Sequence, residues 1–169
     1  KNPRLGLLPG LALDLTTTNS RGEPWDFNDP ARRAEAEKLL NEQKPQLLIG
    51  TPMCTAFSNI QNLNKARRDP AVVAAEIEKA RTHLKWCCHL YQLRLSRGAY
   101  FLHEHPNGAS SWTEPCILRV LALTGVRRIR SDQCQHGQES ESGNPVKKPT
   151  GFMSNAACLL EALDRRCFG

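Results

Sequence analysis

A cysteine in a proline-stiffened loop is the first residue of the sequence that points to covalent chemistry. Cys54 lies four residues beyond a short apolar run at 46–50, and Pro52 restricts the backbone of the loop between them. Ligands of open α/β sheets bind at the carboxyl ends of strands, so a strand at 46–50 would place this thiol at such an edge. Because thiolates are nucleophiles, covalent attack on an electrophilic carbon is the predicted chemistry. A buried structural cysteine is the alternative.

A carboxylate occupies the corresponding place after a second apolar run. Glu104 follows the run at 99–103, between His103 and His105. If the two strands are neighbours, this carboxylate and Cys54 share one edge of the sheet. Side chains alternate along a strand, so the two imidazoles face the side opposite Glu104. A salt-bridge partner is the plainer interpretation of this glutamate.

Alternating strand and helix signals surround these residues. The predicted strands lie at 11–15, 46–50, 99–103, 126–130 and 151–154. The predicted helices lie at 30–43, 70–97, 113–123 and 156–166, and the first two follow the N-cap and proline pairs Asp29-Pro30 and Asp69-Pro70. The alternation predicts a mostly parallel sheet covered by helices, in one domain over residues 1–169. Residues 138–149 are rich in turn formers and predict an exposed loop.

Basic residues cluster near two of these segments. Lys147 and Lys148 precede the last predicted strand, and Arg67 and Arg68 follow the loop of Cys54. A net charge of +6 and a pI of about 9.1 are compatible with a polyanionic partner. The polar turn at 131–137 and the two lysines together predict a phosphate-contacting edge. A surface hairpin and solvated charged faces are the alternatives.

The seven cysteines include no C-x-x-C pair, which favours reduced thiols without disulfides in an intracellular setting, nucleus or cytoplasm. A metal site built from Cys87, Cys88, His83 and His89 is a minor alternative, and no metal is expected. The longest apolar runs fall far short of the roughly 20 residues that a bilayer crossing needs. No membrane partner is therefore predicted.

Three segments, in this order, resemble motifs of DNA (cytosine-5) methyltransferases. Residues 52–58, Pro-Met-Cys-Thr-Ala-Phe-Ser, are similar to the Pro-Cys loop of the family. Residues 101–106, Phe-Leu-His-Glu-His-Pro, resemble its Glu-Asn motif, which proline follows in phage-type members. Residues 134–137 with 148–150 and 154–155 resemble the Cys-x-Tyr-Gly and Lys-Pro-Thr segment of those members. The same set also resembles a methylase-like segment of retrotransposon-type polyproteins.

The resemblance implies a fold and a reaction. The fold would be the Rossmann-like, S-adenosylmethionine-dependent methyltransferase type, a three-layer sandwich that is complete or lacks its first strand. Cys54 would add to carbon 6 of a cytosine flipped from its stack, and Glu104 would support the adduct from nitrogen 3 and the exocyclic amine. Carbon 5 would then take methyl from S-adenosylmethionine.

The resemblance also implies two sets of binding residues. Those expected on the cofactor side are Asp14, Asp26, Thr51 and Pro52. Those expected to contact nucleic acid, with DNA favoured, are Ser58, Arg67, Arg68, Lys147 and Lys148. The family's glycine-rich first motif has no counterpart before Asp14, so a larger polypeptide is expected to supply the cofactor loop.

Three functions from different classes stay open at this point. The first is an active or partner-dependent methyltransferase. The second is a methyltransferase-like module without catalysis that binds nucleic acid or protein within a retroelement-type polyprotein. The third is an unrelated small α/β protein with a cysteine-centred hydrolase or metal site.

Overall fold

A computed structural model describes residues 8, 10–59, 61 and 67–168. The chain divides into two compact units, residues 1–45 and residues 46–169. The single domain expected over residues 1–169 stays a prediction. Among the described residues, no helix is both long and apolar enough to cross a membrane.

The first unit contains a run of turns followed by helix α1 (Pro30–Gln43). The predicted N-cap is confirmed, because the carboxylate of Asp29 accepts a hydrogen bond of 2.8 Å from the backbone N–H of Ala31. The helix ends where Lys44 takes a left-handed conformation with φ of 47°. The buried residues of this unit are Trp25, Arg32, Ala36 and Leu40.

The strand predicted at 11–15 is wrong, since this segment forms bends and turns. Leu11 and Leu15 are 59% and 55% exposed, so the apolar pattern does not face a core. An isolated antiparallel bridge joins Thr18 and Pro24 instead. A strand is stable when a neighbouring strand takes up its backbone hydrogen bonds, and a short apolar run does not reveal whether that neighbour exists.

The second unit is built on a four-stranded sheet, which confirms the α/β class. Its strands are β1 (Leu47–Gly50), β2 (Tyr100–Pro106), β3 (Arg127–Asp132) and β4 (Pro149–Ser154), in the spatial order β1-β2-β4-β3. β1 and β2 are parallel, whereas β4 is antiparallel to both of its neighbours. The sheet is therefore mixed, and the expected mostly parallel sheet is not what forms.

In the described part of this unit outside residues 60–66, the α-helices are α2 (Pro70–Ser96), α3 (Pro115–Leu121) and α4 (Ala157–Leu163). Asp69 caps α2 as predicted, by accepting from the N–H of Ala71 at 2.8 Å. α3 begins later than predicted because a 3-10 turn occupies Ser110–Thr113 and the proline that follows suits the first helical position. α4 is three residues shorter at its C-terminal end than the predicted 156–166. Residues 138–149 are exposed, as predicted.

The core lies between the helices and one face of the sheet. The central buried residues are Phe57, Leu84, Cys87, Cys88, Tyr91, Phe101, Ala109, Trp112, Cys116, Ile117, Val120, Val126 and Met153. In α2 the predicted apolar stripe is buried from Leu84 onward, whereas Val73, Ile77 and Ala80 are only half-buried. The second half of α2 therefore anchors the helix to the sheet.

Gly50 allows this helix to approach the end of β1. A Cβ atom at Gly50 would lie 2.0 Å from the hydroxyl oxygen of Tyr91, so any other residue forces the ring to move. Tyr91 is fully buried and stacks on Phe101 with ring centroids 4.6 Å apart. The glycine thus fixes the distance between α2 and the strand that leads into the loop of Cys54.

We expect Gly50→Ala to lower the free energy of unfolding by about 1–3 kcal/mol, because the added methyl group overpacks a core that has no space for it. Gly108→Ala is the matched control, since a Cβ there meets the Asn59 side chain at an ordinary 3.5 Å, and it should change stability by less than about 1 kcal/mol. Urea unfolding of both variants measures the difference. Equal effects would contradict the close approach of Tyr91.

Candidate functional site

The sheet delivers Cys54 and Glu104 to the same edge. β1 and β2 are parallel neighbours, with Gly50 opposite His103 in the register. Cys54 lies in the loop that leaves β1, and Glu104 is the next residue of β2 after that last pair. The predicted adjacency of the two strands is confirmed. A thiol and a carboxyl group therefore reach the carboxyl end of the sheet from adjacent strands, where ligands of α/β folds bind.

The loop of Cys54 is ordered by its own turn. Cys54 is half-buried and precedes a 3-10 turn over Thr55–Phe57, in which the N–H of Phe57 donates to the Cys54 carbonyl at 3.0 Å. The Phe57 side chain is buried in the core. The residue before the cysteine, Met53, is 60% exposed. The turn therefore leaves the cysteine at the boundary between core and solvent.

A buried imidazole connects this loop to β2. The Nε2 atom of His105 lies 2.8 Å from the carbonyl oxygen of Pro52, and its Nδ1 atom lies 2.6 Å from the hydroxyl of Ser111. A carbonyl accepts but does not donate, so Nε2–H donates to Pro52 and the Ser111 hydroxyl donates to Nδ1. Burial lowers the pKa of His105, which keeps the imidazole in this neutral form, although the bond to Pro52 acts in the opposite direction.

Two further hydrogen bonds fasten the same loop to the turn after β2. The side chain of Asn59 donates to the carbonyl of Gly108 at 2.9 Å, and the hydroxyl of Ser110 donates to the carbonyl of Phe57 at 3.3 Å. Together with His105, these contacts join the Cys54 loop, residues 51–59, to the segment that follows Glu104. The position of the thiol is thus set by β2 as well as by β1.

Glu104 lies on the face of β2 opposite the histidines, as the alternation predicts. It is half-buried and pairs with Phe152 of β4 in the strand register. Burial raises the pKa of the Glu104 carboxyl, and the ammonium group of Lys148 acts in the opposite direction. The carboxyl group therefore holds a proton more readily than an exposed glutamate does.

The other histidine of β2 belongs to the core. His103 is fully buried, its Nδ1 lies 2.9 Å from the Tyr91 hydroxyl, and its ring meets Trp112 edge-on at 5.3 Å between centroids. Burial lowers its pKa to about 3, with smaller contributions from the charges of His105 and Arg128. His103 is therefore neutral at physiological pH and packs as a core side chain.

The acidic residues expected on the cofactor side are used in local turns of the first unit. The Asp14 carboxylate accepts from the N–H and the hydroxyl of Thr16, both at 2.6 Å, and these bonds lower the pKa of Asp14. The Asp26 carboxylate accepts from the backbone and side-chain N–H groups of Asn28. Asp14 therefore does not lie at the end of a strand, as was expected, and the binding of S-adenosylmethionine stays a prediction.

The remaining cofactor residues lie in the second unit. Thr51 is exposed, whereas Pro52 is buried with its carbonyl bound to His105. Pro52 therefore has a clear structural role in holding the Cys54 loop. Within the described ranges, no group of three or more histidine, cysteine, aspartate or glutamate side chains is placed to hold a metal ion.

The expected nucleic-acid residues differ in how they are engaged. Arg68 forms an ion pair of 2.5 Å with Glu76, which occupies its guanidinium. Arg67 is exposed and Ser58 is half-buried. Lys147 and Lys148 are exposed at the entry to β4, and Lys148 lies near enough to Glu104 to influence its pKa. Of these residues, Lys148 is therefore the one that acts on Glu104.

Sequence reasoning placed His105 on the correct face of β2 but gave it no role. Alternation along the strand shows which side an imidazole faces, but it does not show which carbonyl lies within hydrogen-bonding distance on that side. Ser110, Ser111 and Asn59 were not recognised, because each acts through a backbone or side-chain partner about 50 residues away or across a turn. Neither local spacing nor residue type signals such a contact.

The chain matches no protein-family model, no curated protein and no solved structure. The resemblance of its three segments to cytosine-5 methyltransferases therefore stays a prediction. The geometry of the loop and of β2 is the ground on which a function can be argued.

We expect the stability of the protein to fall as the pH falls below 6.5. The folded-state pKa of His103, about 3, lies below its ordinary value of 6.5, so the unfolded chain binds the proton more readily. The protonation of this residue alone should lower the free energy of unfolding by about 2 kcal/mol between pH 8 and pH 5. Urea unfolding across this range measures the loss.

The comparison variant is His103→Gln, which removes the titrating group. It is needed because Glu104, whose pKa is raised, changes stability with pH in the opposite direction. His89→Gln, at an exposed position of α2, is the control and should keep the wild-type slope. A His103→Gln variant with an unchanged pH slope would contradict the neutral, buried imidazole.

Proposed function

We propose that residues 46–169 are the nucleobase-binding, catalytic part of a methyltransferase-like domain of the DNA (cytosine-5) type. The observation that carries this proposal is the hydrogen-bonded connection, through His105, between the Cys54 loop and the strand that bears Glu104. It supplies a nucleophile and a proton-holding carboxyl group at one edge of a sheet, each held by the same strand. The Pro-Cys and Glu-containing segments of the resemblance are the two segments involved.

The chemistry requires a thiol on one side of the base and a carboxyl group on its edge. The Cys54 sulfur bonds to carbon 6 of a flipped cytosine. The electron pair of the 5,6 double bond moves to carbon 5 and is shared through carbon 4 with nitrogen 3, which takes a proton or hydrogen bond. A carboxyl group with a raised pKa suits this donation, and its second oxygen accepts from the exocyclic amine. Glu104 is thus proposed to stabilise the adduct that Cys54 forms.

The sheet agrees with the proposed fold at the level of the α/β class. β4, the last strand in sequence, lies between β2 and β3 and is antiparallel to both, so the sheet is mixed.

S-adenosylmethionine as methyl donor is a proposal that the described residues do not support by themselves. Asp14 and Asp26 are engaged in turns, and the strand predicted at 11–15 does not form. A larger polypeptide that supplies the cofactor loop is the partner proposed for methyl transfer. The proposed role of this chain alone is therefore addition to the base.

We expect the chain to exchange the hydrogen at carbon 5 of cytosine with solvent when given single-stranded oligodeoxynucleotide tritiated at that position. Addition of Cys54 to carbon 6 makes carbon 5 basic, so carbon 5 takes a solvent proton; a base then removes the tritium from carbon 5, and the 5,6 double bond re-forms as the thiolate leaves carbon 6, with no methyl donor needed. Cys54→Ala should abolish tritium release, and Glu104→Gln should slow it by about 100-fold or more. Cys158→Ala, at an exposed cysteine of α4, is the control.

The outcomes of this exchange assay separate the proposed functions. Release that depends on Cys54 and not on Cys158 supports the methyltransferase-like chemistry. Release that persists in Cys54→Ala would contradict the nucleophile. A wild-type chain that releases no tritium would leave the second proposal, a module that binds nucleic acid without catalysis.

That second proposal has an observation of its own. Lys147 and Lys148 are exposed neighbours in the sequence, and Lys148 influences the pKa of Glu104, in a chain with a net charge of +6. Lysines that neutralise phosphates release counterions, so binding weakens as salt rises. The proposed partner is DNA, and RNA or another part of a polyprotein is the alternative.

We expect binding to a fluorescent single-stranded oligodeoxynucleotide to weaken as the salt concentration rises. The slope of log binding constant against log salt concentration should become shallower by roughly 1–2 in Lys147→Ala/Lys148→Ala. Lys38→Ala/Lys79→Ala is the matched control, because it removes the same charge from exposed helical positions. Fluorescence anisotropy at several salt concentrations gives both slopes. Equal slopes for the two double variants would assign the binding to net charge rather than to the lysine pair.

A further inference from the structure

The residues that follow α4 run back along the end of β3. The N–H of Asp132 donates to the carbonyl of Arg165 at 2.9 Å, and the hydroxyl of Ser131 donates to the same carbonyl at 3.2 Å. The carboxylate of Asp132, itself fully buried, accepts from the N–H of Cys167 at 3.0 Å. Three hydrogen bonds therefore fix the backbone of residues 165–167, hereafter the tail, against the last residues of β3.

This arrangement brings two cysteines together. Cys134 lies in the 3-10 turn Gln133–His136 that directly follows β3, and Cys167 lies in the tail. The N–H of Cys167 is bound to Asp132, two residues before Cys134, and burial and then a hydrogen bond with the Cys167 side chain raise the pKa of the Cys134 thiol. Both residues are half-buried, so each keeps a surface that a small reagent can reach. Because the backbone on each side is already held in place, little chain entropy remains to be lost when the two sulfurs bond.

We propose that Cys134 and Cys167 form a reversible disulfide when the protein meets a peroxide. One thiolate attacks the peroxide, breaks its O–O bond and becomes a sulfenic acid, with hydroxide as the leaving group. The other thiol then attacks the sulfenic sulfur and releases water, so the two sulfurs lose two electrons and the peroxide gains them. A reducing thiol reverses the bond by exchange.

A second pair of thiols in the second unit differs in access. Cys88 and Cys116 are also in contact, but both are buried, between α2 and α3. Thiolate content favours the buried pair, because the hydrogen bond with Cys88 lowers the pKa of Cys116 to about 7, whereas exposure favours the half-buried pair, which an oxidant reaches more readily. Burial raises the pKa of the Cys134 thiol, and oxidation is therefore expected to be faster at pH 8.5 than at pH 7.

The bond would close a loop from residue 134 to residue 167 that contains the exposed residues 138–149 and β4. Such a loop restricts the unfolded chain more strongly than a short one does. The oxidised protein is therefore expected to melt on the order of 5–10 °C higher than the reduced protein. The gain should disappear in dithiothreitol.

The experiment treats the full 169-residue chain with stoichiometric hydrogen peroxide at pH 8.5 and maps its tryptic peptides without reduction. The expected product is a cross-link between peptide 131–147 and peptide 167–169, absent in Cys134→Ser and in Cys167→Ser. Cys158→Ser is the matched control, because it removes an exposed cysteine of α4 and should leave the cross-link in place. Melting curves of the oxidised and reduced forms are recorded for all four proteins.

Each outcome bears on the proposal. The cross-link together with a higher melting temperature that Cys158→Ser retains would support it. Oxidation at other cysteines with no bond between residues 134 and 167 would overturn it.

Discussion

The hydrogen bonds of one buried imidazole hold the candidate site in place. His105 donates to the carbonyl that lies two residues before Cys54, and it is the next residue of β2 after Glu104. The strand that positions the carboxyl group therefore also positions the thiol loop. Losing such a buried partner leaves a polar group unsatisfied, which costs about 1–3 kcal/mol. The neutral form of the imidazole is essential, because Nδ1 must accept from Ser111 while Nε2 donates to Pro52.

The parts of the fold that the sequence predicted well are those with local signals. Asp29 and Asp69 each open a helix because a carboxylate followed by proline satisfies and shapes the first turn. The edge that carries Cys54 and Glu104 follows from the rule for strand ends, and the pairing of β1 with β2 confirms it. The direction of β4 was missed, since a short apolar strand reads the same in either orientation. No strand forms at 11–15, because a strand needs a neighbouring strand as hydrogen-bonding partner. The local sequence pattern does not reveal whether that neighbour exists.

The two sides of the proposed reaction are unequally represented in the described residues. On the side of the base, a half-buried thiol, a carboxyl group with a raised pKa and an exposed lysine lie along one edge. On the side of the methyl donor, the acidic side chains complete turns with Thr16 and Asn28.

The position of β4 sets the order in which the second unit can be completed during synthesis. β2 is synthesised before β4, its partner on one side, and Thr150 of β4 pairs with Pro106 across 44 positions of the sequence. β3 in turn contacts the sheet only through β4. Contacts of such long sequence separation form late and slowly. A nascent chain that stops before residue 149 would carry β2 with one edge open and β3 without a neighbour, so the strand that bears Glu104 gains its second partner only after β4 has been synthesised.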